Sequence, residues 1–70
     1  MKFTDWNTAW TEFNKKSKGL QEGYTLTMLR NAELGEWMIR EYMPDEDITY
    51  IPGYSLLQIR LGTQRPLVTF

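Results

Sequence analysis

Seventy residues allow one domain, and a chain of this length buries only about 60% of the surface its unfolded form exposes. With no Cys and no His, the chain has no disulfide, no thiolate or imidazole metal site, and no thiol or imidazole to act as nucleophile or base. A formal net charge of −1 gives no general attraction to nucleic acid or to anionic lipid.

Stability must then come from apolar packing, from assembly or from a partner. Three Trp, three Phe and four Tyr supply the packing material, each removing roughly 150–250 Å² from water when buried. The first residues, Met1 to Trp6, lack the apolar stretch of a signal peptide, and no apolar run approaches the ~20 residues of a membrane span. The chain reads as a complete, cytoplasmic product. Its charges are unevenly spread. Lys2, Lys15, Lys16 and Lys18 dominate residues 1–20, whereas Glu33, Glu36, Glu41, Asp45, Glu46 and Asp47 face only Arg40 in residues 31–51. Arg60 and Arg65 make the tail basic again.

The first element is an amphipathic helix over about residues 4–18. Phe3, Trp6, Trp10 and Phe13 recur at spacings of three and four, which is one helical stripe. Thr4 stands at the N-cap position with Asp5 in the first turn. Lys15, Lys16 and Lys18 suit the carbonyl-rich end, and Gly19 is placed to take a left-handed C′ conformation. Gly23 then opens a different pattern. Tyr24-Thr25-Leu26-Thr27-Met28 alternates with period two, which predicts a strand at 24–30 with Tyr24, Leu26 and Met28 facing the core.

Residues 31–43 admit two readings. As a helix, Asn31 caps it, Leu34, Trp37, Met38 and Tyr42 form its stripe, and Pro44 stops it. As a hairpin, Asn31 to Gly35 is the loop, and Trp37 and Ile39 point inward on a returning strand. The Ala, Glu, Leu and Met content tips the choice to the helix. Pro44-Asp45-Glu46-Asp47 is a turn, Ile48–Ile51 a short strand, Pro52-Gly53 the centre of a type II turn, and Tyr54–Leu61 a further strand. Residues 62–70 are expected as an extended tail or an edge strand. The sum is an α+β domain. Its N-terminal amphipathic helix packs on a small three- or four-stranded antiparallel sheet, with a second short helix at 31–43.

Chemistry-bearing motifs are sparse. Ser17 and Ser55 have no activating motif, and paired carboxylates need a cleft that this chain is small to build. The expectation is a non-enzyme without cofactor. Asp45, Asp47 and Thr49 have the one–three–five spacing of a calcium loop. Tyr50 and Leu56 then occupy the positions that require Gly and Glu, so no metal site is expected. No glycine-rich phosphate loop is present.

Binding remains. Apolar residues outnumber the places in a single core, and Leu29, Met38, Met43, Ile51, Leu56, Leu67, Val68 and Phe70 are left over. The expected activity is protein binding through Glu36, Glu41, Asp45, Glu46 and Asp47, with Tyr42 and Met43 as apolar anchors. Some leftover residues could instead complete a homodimer contact. By analogy of size and charge alone, such chains include small phage inhibitors of host polymerases and defence nucleases. The alternative is a single-stranded nucleic-acid binder that uses Lys15, Lys16 and Lys18 beside Tyr24, Tyr50 and Tyr54 as stacking platforms.

Overall fold

The computed structural model describes residues 1–62. Its elements in chain order are β1 (Lys2–Phe3), α1 (Trp6–Lys18), β2 (Thr25–Asn31), β3 (Glu36–Tyr42) and β4 (Ser55–Leu61). The strands form one antiparallel sheet in the order β1-β3-β2-β4, and α1 packs on β1, β2 and β3. This is the α+β architecture expected from the patterning.

Helix α1 starts at Trp6, two residues later than the expected 4–18, and Phe3 of the expected stripe lies in β1. Asp5, not Thr4, is the N-cap: its backbone is extended, and its carboxylate accepts from the Thr8 amide at 2.8 Å and the Thr8 hydroxyl at 2.8 Å. A carboxylate satisfies an orphan amide and faces the positive helix end, so it outcompetes the neighbouring hydroxyl. At the other end Gly19 is not left-handed. With φ −102° its amide donates back to the Lys16 carbonyl and the Leu20 amide to the Ser17 carbonyl, a tightened last turn.

The 31–43 segment is a hairpin, not a helix. Asn31 pairs with Glu36, which leaves a loop of residues 32–35, and the Asn31 side chain accepts from the Leu34 amide at 3.0 Å. Gly35 carries the loop through φ +66°, a conformation no helix interior contains. Helix propensity yields here to packing, because only the period-two arrangement lets Ile39 (5% exposed) reach the core opposite Met28.

Residues 48–51 are not a strand. Strands β3 and β4 both run antiparallel to β2 and therefore parallel to each other, on either side of it. Joining them takes a crossover, and residues 43–54 supply it. The Pro52-Gly53 turn ends this crossover with a Tyr54 amide to Ile51 carbonyl bond of 3.1 Å, as the sequence implied.

One face of the sheet carries the main core. Ala9 and Phe13 of α1 bury against Leu26, Met28 and Ile39, with Phe3, Trp10, Leu20 and Trp37 packed around them. Trp10 stacks on Phe13 at 5.8 Å and on Trp6 at 5.5 Å, so the aromatic stripe grades outward from a buried Phe13 to an exposed Trp6. Among the described residues no helix is long and apolar enough to cross a membrane.

This gradation sets a stability order. Phe13→Ala should cost about 3–5 kcal/mol in urea denaturation, as for a fully buried aromatic, and the half-buried Trp10→Ala should cost distinctly less. The reverse order would place Trp10, not Phe13, at the centre of the core.

Candidate functional site

Strand β2 is buried on both sides. Leu26 and Met28 face the helix, whereas Thr27 (1% exposed), Leu29 and Asn31 face the other way and are buried too. The crossover 43–54 is their cover. Between it and the sheet lies a cavity of about 200 Å³ lined by Thr27, Leu29, Tyr42, Ile48, Thr49, Tyr50, Ile51, Tyr54 and Leu56. Its floor is apolar because Thr27 turns its hydroxyl aside, donating to the Arg40 carbonyl at 3.0 Å. Its rim is exposed and apolar, with Ile48, Leu56 and Tyr50 standing 51%, 49% and 79% in solvent.

Each end of the cavity is held differently. At the far end the Tyr54 hydroxyl donates to Glu36 Oε1 at 2.6 Å, and Lys2 Nζ lies 3.8 Å from the same oxygen. At the near end the acidic turn is shaped by Glu46, whose Oε1 accepts from the Met43 amide at 2.9 Å, while the Glu46 amide donates back to the Met43 carbonyl at 3.0 Å. Asp45 and Asp47 remain exposed beside it.

The sequence-derived site residues are therefore divided. Asp45, Glu46, Asp47 and Met43 gather on the turn at the near end of the crossover. Tyr42 is buried and lines the cavity. Glu41 is exposed on the helix face of β3, the opposite side of the sheet from Tyr42. Glu36 lies at the other end of β3, roughly 20 Å along the strand, and is engaged with Tyr54 and Lys2. The acidic patch is thus three residues, not five.

Sequence reasoning missed Ile48 and Leu56 as site residues, and it offered Tyr50 and Tyr54 only as stacking platforms for nucleic acid, not as the wall of an apolar cavity. Their signal was the apolar surplus opposite the helix, which includes Leu29, Ile51 and Leu56. Of the other leftover residues, Met38 is half-buried on β3 and Met43 is exposed on the turn, whereas Leu67, Val68 and Phe70 lie outside the described residues, as does the 63–70 part of the expected tail.

Lys15, Lys16 and Lys18 are exposed on the last turn of α1. Of the tyrosines offered as platforms, Tyr50 is exposed, Tyr24 is half-buried, and the Tyr54 hydroxyl is bonded to Glu36. Three guanidinium groups already lie over aromatic rings of the fold: Arg30 4.0 Å over Trp37, the exposed Arg40 5.1 Å over Tyr42, and Arg60 5.2 Å over Phe13. No family model matches the chain, nor does any curated protein or solved structure.

The Tyr54–Glu36 bond gives the crossover a pH signature. A phenol that donates to a carboxylate is held in its neutral form, and burial and the Glu36 charge add to this, so the Tyr54 hydroxyl titrates above its usual 10.0. Its contribution to stability is complete below the unfolded value and is lost as pH rises through the folded one. Melting temperature should therefore fall more steeply above about pH 10 in the native chain than in Tyr54→Phe. Parallel curves would mean that the bond does not hold the crossover down.

Proposed function

We propose that this chain is a non-enzymatic protein-binding module whose site is the crossover face of the sheet. A basic partner segment carrying one large apolar side chain fits it: the side chain enters the cavity, and its flanking cations meet Asp45, Glu46 and Asp47. The observation that supports this reading most is the cavity itself, apolar within, rimmed by the exposed Ile48, Tyr50 and Leu56, and bordered by an acidic turn. A pocket for an apolar anchor beside charges that steer its approach is the usual build of a small recognition site. About 200 Å³ is room for a Leu, Ile or Phe side chain and is below the ~300–1,000 Å³ of sites for larger small-molecule ligands. A small inhibitor that occupies a basic surface of a larger enzyme, such as a polymerase or nuclease, is the role this would serve.

Capture of partners from source cells, followed by kinetics on the purified complex, tests the reading. Tyr50→Ala should raise the dissociation rate about 30-fold, the equivalent of a ~2 kcal/mol anchor. Asp45→Lys with Asp47→Lys should instead slow association, and the difference should shrink with added salt. Full binding by both variants, with loss on replacing Lys15, Lys16 and Lys18 by Ala and recovery of nucleic acid instead of protein, would overturn it in favour of the single-stranded nucleic-acid alternative.

A further inference from the structure

The two edges of the sheet are unlike. β1 is a two-residue edge, too short to template another strand. β4 has seven residues and, among the described residues, no strand on its outer side. Its side chains Leu56, Leu57, Ile59 and Leu61 are 49%, 44%, 44% and 66% exposed. Proteins that stay monomeric guard such an edge with Lys, with Pro or with charges that point along it. β4 has neither Lys nor Pro, and its one charge, Arg60, is drawn back over the helix. There it lies above the Trp10 and Phe13 rings and within 3.5 Å of the Ser17 hydroxyl. Among the described residues a bulge near Leu57 is the only guard, and it leaves residues 58–61 regular.

We propose that β4 pairs antiparallel with β4 of a second copy, joining two four-stranded sheets into one of eight. The sequence of the strand is complementary to itself in one register. With the two-fold axis at Ile59, Ile59 meets Ile59, Leu57 meets Leu61, and Gln58 meets Arg60, so like meets like at every position. An axis at Arg60 would set two guanidinium groups directly opposite, a destabilising pair. An axis at Gln58 would set Arg60 against Leu56 and bring the bulge into the centre of the ladder. A basic peptide gains nothing from this edge, since the acidic turn belongs to the crossover. A second copy gains a continuous apolar row, because Ile59 and Leu61 share the crossover face with Thr27 and Thr25. The two-fold axis stands perpendicular to the sheet, so both helices lie on one side and both cavities on the other.

The absence of cysteine makes the test clean. Sedimentation of the full chain at roughly 50 μM should give twice the 8.3 kDa chain mass. Full-length Ile59→Cys should cross-link almost completely under mild oxidation, because residues facing each other across an antiparallel pair have Cα atoms about 4.5–5.5 Å apart, within disulfide range. Leu61→Cys should not, because its copies would stand roughly 14 Å apart. Ile59→Lys, at an exposed position, should keep the circular dichroism of the native chain and weaken the dimer at least 100-fold by opposing two cations. A native chain that sediments as a monomer overturns the proposal, whatever else covers the edge. So does a dimer that survives Ile59→Lys, or cross-linking of Leu61→Cys as complete as that of Ile59→Cys.

Discussion

Strand β2 lies in the middle of the molecule with side chains buried above and below, and a strand buried on both faces needs two covers. Helix α1 is one, and the 43–54 crossover is the other. A chain this small cannot spare a second helix for the purpose, so an irregular segment does the work. It hides Leu29 and part of Ile51 from water. It also encloses Thr27 and Asn31, whose polar groups would be costly to bury unpaired; each finds a backbone partner, the Arg40 carbonyl and the Leu34 amide respectively. Packing along an irregular segment leaves gaps that helix or sheet packing would fill, and the cavity is the gap.

From this follows the division of labour between the two sides of the sheet. The helix side is close-packed around Phe13, and its surplus aromatics are used to seat Arg30 and Arg60. The crossover side keeps an apolar hollow, an exposed Tyr50 and an acidic turn within one short stretch of chain. The turn is not free to drift, because Glu46 ties itself to Met43 at its start and Tyr54 ties the far end to Glu36. Fixed ends with an open middle suit a surface that must admit one side chain without refolding.

Where one local signal decided the outcome, the sequence was legible. The spacing of Phe3, Trp6, Trp10 and Phe13 defines α1 to within two residues, and the alternation from Tyr24 to Met28 defines β2. Pro52-Gly53 defines its turn. The 31–43 segment misleads because its composition favours a helix while Gly35 and Ile39 favour a hairpin, and only the opposing Met28 resolves the conflict. Ile48-Thr49-Tyr50-Ile51 misleads differently. Its β-like pattern reports a chain packed flat on an apolar surface, and the ladder positions beside β2 are already taken by β3 and β4. The acidic residues were visible as a run in sequence, but period two sends Glu41 and Tyr42 to opposite sides, and the length of β3 carries Glu36 away from the turn. The cavity had no local signal, because it is made by strand order.

The most direct test of this account is the response of Leu29 to a charge. Leu29 pairs with Met38 and Leu56 on the crossover face and is 6% exposed. If residues 43–54 cover that face, Leu29→Asp places an unpaired carboxylate in an apolar interior, and thermal unfolding followed by circular dichroism should lose its cooperative transition at neutral pH. A melting temperature within a degree or two of the native chain, as expected for substitution on an open, solvated face, would contradict the crossover, and with it the cavity and the binding site built on it.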